Sequence, residues 1–108
     1  MPIMRADSCA GKERMPISAS LGPVMGQLRR ALGIRQEDAA HEAGITPVAL
    51  CRMERGLTCS SSDSYEREAQ ALGIDYELIC QLAARLAREG RRDLTPREIS
   101  MALLSRRL

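Results

Sequence analysis

The side chains that could bind a metal ion or form a covalent intermediate are few in this sequence. Its four cysteines include no Cys-x-x-Cys pair and have no histidine-rich neighbourhood: Cys9, Cys51, Cys59 and Cys80. His41 is the single histidine, and we expect it on a helix surface. No nucleophile with a base, carboxylate pair or phosphate-binding loop is recognisable. The sequence therefore predicts reduced thiols, no metal or other cofactor, and no enzyme activity.

Guanidinium groups are the abundant functional groups. The chain has 16 Lys and Arg against 14 Asp and Glu, a formal net charge of +2, and Lys12 is its one lysine. Arginine binds phosphates and base edges bidentately. However, a GC-rich genome is a second explanation for frequent arginine, so charge alone does not identify a nucleic-acid partner.

The stretch from Gln36 to Arg55 predicts two short helices joined at a glycine. The first helix ends at Gly44, where a residue able to take positive φ is needed. Thr46 is a good N-cap and Pro47 suits the first helical position, so a second helix begins there. The residues predicted to face inward are Ala39, Ala40, Ala43, Ile45, Leu50 and Met53.

The flanking sequence predicts four more helices. Apolar spacing places helix one from Leu21 to Gly33. We expect helix four to be capped by Asp63 with Glu66, and helix five to run from Asp75 to Gly90. Thr95, Pro96 and Glu98 together predict the start of a sixth helix.

These elements divide the chain into three parts. Residues 1–19 lack apolar periodicity and are predicted to be a disordered tail, residues 20–90 form the domain, and residues 91–108 hold the C-terminal helix. Phe and Trp are absent, so the core must consist mainly of aliphatic side chains. No signal peptide or long apolar run is present, which predicts a soluble cytoplasmic protein without a membrane partner.

The order of these motifs resembles that of a known family. In a helix-turn-helix, the fifth residue is small and the ninth is a turn glycine, the positions of Ala40 and Gly44. Together with the segments LRRALGIRQ, ERG and ALGIDYELI, this resembles the XRE family, the Cro and phage-repressor type of bacterial DNA-binding domain. The resemblance implies an all-α, five-helix, lambda-repressor-like domain that binds double-stranded DNA. The family domain normally closes with helix five, so the sixth helix is an addition.

The resemblance also implies which residues meet DNA. Helix three would enter the major groove, presenting outward Thr46, Pro47, Val48, Ala49, Cys51, Arg52 and Arg55. Arg52 would pair with guanine and Arg55 with phosphate, while Val48 and Ala49 would contact thymine methyl groups. Family members often have Gln, Ser or Asn at the first few of these positions, where this chain has Pro47, Val48 and Ala49. Alternatively, the whole set is a solvated helix face.

Four residues lie outside that set or have a second interpretation, and the resemblance implies the roles of the first three. Gln36 would meet a phosphate at the start of helix two, or would only cap that helix. Arg29 and Glu54 would form a structural ion pair between helices one and three. Cys51 is either an inert thiol or a redox-sensitive one.

The predicted function is transcriptional regulation, as a repressor that binds a palindromic operator as a homodimer. The apolar face of helix six would form the dimer interface with helix five, through Leu82, Leu86, Ile99, Leu103 and Leu104. The alternative for helix six is that it folds back over its own domain. The alternative function is a protein-interaction adaptor or antitoxin-like module that binds a partner protein.

Overall fold

The computed structural model describes residues 17–57 and 62–106, with side chains from 20 and from 63 in the two ranges. Within these ranges the chain is all-α, with no strand. Its helices are α1 (Ile17–Ala31), α2 (Gln36–Ala43), α3 (Pro47–Glu54), α4 (Ser62–Leu72), α5 (Tyr76–Glu89) and α6 (Pro96–Leu104). The predicted fold class is confirmed. The predicted tail is corrected at 17–19, which belong to α1, while residues 1–16 lie outside the described part.

Helix α1 lies at the centre and contacts α3, α4, α5 and α6. Its apolar stripe is fully buried, with Leu21, Val24, Met25 and Leu28 at most 4% exposed. The stripe packs in one core with Ile79 and other apolar side chains of α5. Helix α1 begins four residues earlier than the apolar spacing predicts, so Pro23 lies inside the helix.

Helices α1 and α3 cross at a glycine. A Cβ atom added to Gly22 would lie 1.7 Å from the carbonyl oxygen of Met53, which no side chain can accommodate. Gly22 therefore weakens α1 in isolation but permits the backbone of α3 to approach it. This contact fixes the depth at which α3 sits on the domain.

The turn between α2 and α3 forms as predicted. Gly44 has φ 75° and its N–H bonds to the carbonyls of Ala40 and His41, while the N–H of Ile45 also bonds to Ala40. Ala39, Ala40 and Leu50 form a second small core beside this turn. The angle between the two helices is thus set by local hydrogen bonds and small side chains.

The start of α4 differs from the prediction. Asp63 lies inside the helix, which begins at Ser62, and its carboxylate pairs with Arg67 one turn later at 2.5 Å. The predicted capping role of Asp63 is therefore wrong. Asp75 does cap α5 by accepting from the N–H of Glu77, and Gly90 ends that helix in the left-handed conformation.

Helix α6 folds back over its own domain. At its start the predicted capping box of Thr95 and Glu98 is present. Before it, Gln27 on α1 accepts from the N–H of Leu94 at 2.7 Å. After it, Arg106 donates to the carbonyl of Leu72, the last residue of α4, at 2.8 Å. The added helix is therefore attached to the domain at both ends.

This placement corrects part of the predicted dimer interface. Leu82 and Leu86 are 8% and 1% exposed in the core of the same chain, so they are not available to a second subunit. Ile99 and Leu103 are partly buried against that core. Leu104 is 86% exposed and is the one residue of the predicted set that stays open to solvent.

Candidate nucleic-acid interface

Helix α3 buries one face and leaves the opposite face open. Leu50, Met53 and Glu54 are its buried residues. The residues predicted to meet DNA are all exposed or half-buried: Thr46, Pro47, Val48, Arg52 and Arg55 are exposed, and Ala49 and Cys51 are half-buried. Helix α3 and its two capping residues, Thr46 and Arg55, therefore carry the whole predicted set apart from Gln36.

The N-terminal end of α3 offers little hydrogen bonding to an incoming ligand. The Thr46 hydroxyl accepts from the N–H of Ala49 at 3.1 Å, as an N-cap. Pro47 has no N–H to donate, and Val48 presents an apolar side chain that is 67% exposed. This end of the helix can make apolar contacts, and the Thr46 hydroxyl is engaged in capping the helix.

The C-terminal half of the outward face carries positive charge. Arg52 and Arg55 are exposed, and neither makes a side-chain hydrogen bond or ion pair within the described residues. A free guanidinium can offer two parallel N–H donors to a guanine edge or to a phosphate. Cys51, next to Arg52 in the chain, is a half-buried free thiol.

Behind this face, α3 is held by the predicted ion pair. Arg29 Nε donates to Glu54 Oε2 at 2.8 Å, and Arg29 Nη2 donates to Glu54 Oε1 at 3.0 Å. Arg29 also donates to the carbonyl of Ile34 at 2.7 Å. The Arg29 and Glu54 side chains are 8% and 3% exposed, so a fork of two hydrogen bonds joins the last residue of α3 to α1.

Gln36 takes part in the same cluster. Its amide nitrogen donates to Glu54 Oε1 at 3.1 Å, so this half-buried side chain bridges α2 and α3. The cap position of α2 is Arg35, which makes no side-chain capping bond. The exposed first turn carries Glu37 and Asp38, both paired with Arg35. A phosphate approaching the start of α2 would therefore meet two carboxylates as well as the helix dipole.

A buried acid from α4 completes the cluster. Glu68 is 0% exposed. If it were ionised, neither of its carboxylate oxygens would accept a hydrogen bond from a donor in the structure. Burial, with the hydrogen bond to Glu54 and its negative charge, raises the pKa of Glu68 to about 9. Glu68 is therefore protonated at neutral pH, and its hydroxyl can donate a hydrogen bond to the Glu54 carboxylate.

Glu54 stays ionised in this environment. Burial raises its pKa, but hydrogen bonds from Arg29, Glu68 and Gln36 lower it, and the net result is a pKa below the usual value. One charged pair, one neutral acid and the Gln36 amide thus join α1, α2, α3 and α4 around the inner end of α3. Such a cluster fixes the orientation in which α3 presents its outer face.

Sequence reasoning found the Arg29 and Glu54 pair but missed Glu68. A signal was present, because Tyr65, Ala69 and Leu72 mark the buried face of α4 and Glu68 falls on that face by helical spacing. The contact between Gln36 and Glu54 had no sequence signal, since it depends on how α2 and α3 pack.

The fold and site can be compared with known proteins. The profile of the helix-turn-helix family matches residues 25–79, about half of the chain. The chain belongs to the XRE-type helix-turn-helix family. As a family member it is a DNA-binding regulator. The match runs from α1 into α5, so α6 and its linker lie outside it.

A solved structure supports the same fold. The crystal structure of ClgR, the clp gene regulator from C. glutamicum, superimposes with a TM-score of 0.64 at 22% sequence identity. The aligned region covers 71% of this chain and 99% of that chain. Curated protein sequences gave no match. In the described ranges, no helix is long and apolar enough to cross a membrane.

Proposed function

We propose that this regulator binds a specific DNA sequence by placing α3 in the major groove. The observation that carries the proposal is the pair of free guanidinium groups of Arg52 and Arg55 on the outward face of α3. Arg52 lies within the helix and pairs with a guanine, whereas Arg55 follows the helix and holds a backbone phosphate. Val48 and Ala49 contact thymine methyl groups, with Thr46, Pro47 and Cys51 alongside them.

Gln36 is proposed to contact a second phosphate. Its amide is bonded to Glu54, so one hydrogen remains to donate to a phosphate oxygen while the other keeps α2 and α3 together. The Gln36→Ala variant should therefore lower affinity for all sequences with little change in preference. Its thermal stability must be measured in parallel, because the same change removes the contact to Glu54.

The test is to measure the affinity of the protein for a duplex from the upstream region of its own gene and for a shuffled control duplex. Fluorescence anisotropy gives both affinities at each of several salt concentrations. Neutralising phosphates releases counterions, so log K should fall with log salt with a slope of about −0.9 for each phosphate contacted. We expect a steep slope and tighter binding to the upstream region. A flat slope would contradict the DNA-binding proposal.

The regulator is further proposed to repress transcription by binding a palindromic operator as a homodimer, with recognition helices about 34 Å apart. What supports a second copy is the apolar surface of α6, where Met101 and Leu104 are 65% and 86% exposed. Truncating α6 would also uncover the domain core, so surface changes are the better test. The double variant Met101→Glu/Leu104→Glu should be a folded monomer by light scattering. An unchanged dimer would exclude this surface as the dimer interface.

A protein-interaction adaptor or antitoxin-like module is the second candidate. It is favoured by the apolar character of the first turn of α3 and by Leu57, which is 59% exposed just after that helix. A partner protein would cover Val48 and Leu57 together. Under this candidate, the wild type binds DNA only weakly and without specificity. Val48→Ser would then weaken binding of a co-purified protein and leave the DNA affinity unchanged.

A further inference from the structure

The linker before α6 creates a cleft that the helix-turn-helix alone does not have. The cleft lies among α1, the end of α3, the end of α5 and residues 90–93, and its volume is about 440 Å³. This is within the usual range for small-molecule sites, about 300 to 1,000 Å³. Its walls include Arg30, Arg55 and Arg92.

The frame of the cleft is held by hydrogen bonds. Gln27 on its floor donates to the carbonyl of Arg92 at 3.1 Å and accepts from the N–H of Leu94, which fixes the linker to α1. Arg91 is held by Glu89 and Glu98 and by the carbonyl of Asp93. These bonds order the linker without using the other arginines.

The charge in the cleft is unbalanced. Arg30, Arg55 and Arg92 have no side-chain hydrogen bond or ion pair among the described residues, whereas Glu54 is neutralised by Arg29. Asp93 is the one lining carboxylate without an ion pair within that part of the chain. Three free cations against one free anion leave a net positive cleft, which favours an anionic ligand.

The apolar part of the lining indicates what else the ligand contains. Pro23 and Ala87 are half-buried and line the same cleft, so a ligand with an aliphatic segment could cover them. We propose that this cleft binds a small organic anion, a carboxylate or phosphate with an apolar part, held by Arg30, Arg55 and Arg92. Since Arg55 also belongs to the proposed DNA surface, an occupied cleft competes with a phosphate for that side chain.

The proposal can be tested without DNA, so its failure is distinct from failure of the DNA-binding proposal. Hexanoate, acetate and inorganic phosphate are titrated at constant ionic strength into the isotope-labelled full chain, followed by amide NMR shifts. Hexanoate should give saturable shifts at Gly90, Arg91 and Asp93, at several-fold lower concentration than acetate. Hexanoate binding no tighter than acetate would overturn the assignment to an anion with an apolar part, whereas phosphate binding tighter than acetate would support a phosphate as the anionic group.

Variants identify the cations responsible. Arg30→Ala and Arg92→Ala should each raise the hexanoate dissociation constant at least several-fold, because each removes a free guanidinium from the cleft. Arg97→Ala is the matched control, as Arg97 is an exposed arginine on α6 outside the cleft lining. Equal weakening by all three, or shifts spread over the whole domain without saturation, would overturn the site. Urea unfolding of each variant confirms that it is folded.

Discussion

The Glu54→Ala variant tests whether the buried ion pair holds α3 in place. The change removes both hydrogen bonds from Arg29, at 2.8 and 3.0 Å, and leaves a guanidinium that is 8% exposed with one remaining bond, to Ile34. Breaking one side of a buried pair costs about 3 to 5 kcal/mol, because the other charge stays buried and uncompensated. We expect a loss of that size in the free energy of unfolding.

A matched control is the exposed pair of Arg35 and Asp38. Their side chains are 72% and 57% exposed, with Arg35 Nε 3.1 Å from Asp38 Oδ2, so Asp38→Ala should cost much less than Glu54→Ala because solvent screens the pair. The assay is urea unfolding followed by circular dichroism. The midpoint for Glu54→Ala should fall by roughly 1 to 5 M, since the urea m-value of small domains is about 1 to 3 kcal/mol/M. Equal midpoints for the two variants would refute a buried, structural role for the pair.

Glu68 should reduce the loss of stability that Glu54→Ala causes. Burial is the main reason that Glu68 is protonated, and the hydrogen bond to Glu54 and its negative charge add to it. Removing Glu54 removes these two added causes, so Glu68 ionises more readily and can then partly neutralise Arg29. The double variant Glu54→Ala/Glu68→Gln loses this compensation and should unfold at lower urea than Glu54→Ala alone. Identical midpoints would show that Glu68 does not interact with Arg29.

Two further predictions concern single residues. With a folded-state pKa of about 9 above an unfolded value near 4.5, the stability that Glu68 contributes is complete below pH 4.5 and is lost as pH rises toward 9. The free energy of unfolding should therefore fall by at most about 1.4 kcal/mol per pH unit in that window. Urea midpoints measured at several pH values in it should be flatter for Glu68→Gln, and an equal slope would contradict the assignment. Gly22→Ala should cost about 3 kcal/mol or more in urea unfolding, since its Cβ would meet the Met53 backbone. Gly26→Ala, whose nearest contact is a side-chain atom at 3.2 Å, should cost much less, and equal costs would show that the helices can separate freely.

The features that sequence predicted well are those set by local chemistry. The turn at Gly44 follows from the need for positive φ, and the starts of α3 and α6 follow from Thr-Pro pairs that combine an N-cap with a first-turn proline. The ion pair of Arg29 and Glu54 was predicted through the family resemblance. These signals lie within a few residues or within a recognisable motif.

The features that sequence could not predict depend on packing between distant segments. Whether the apolar face of α6 covers its own domain or a second copy is decided by contacts such as Gln27 with Leu94, far apart in the chain. The protonated state of Glu68 likewise depends on its being placed next to Glu54. The DNA contacts proposed for α3 and for Gln36 stay predictions, because they depend on the DNA as well as on how the chain folds.

The most direct test of the central claim is to compare the sequences that wild type and Arg52→Ala select from a random duplex library. The account predicts that wild type enriches a motif with a guanine at a fixed position, and that Arg52→Ala loses preference there by about 1 to 3 kcal/mol. Arg97→Ala, a matched exposed arginine on α6, should keep the full motif. Recovery of the same motif with the same guanine preference by Arg52→Ala would contradict the claim that α3 reads DNA through this residue.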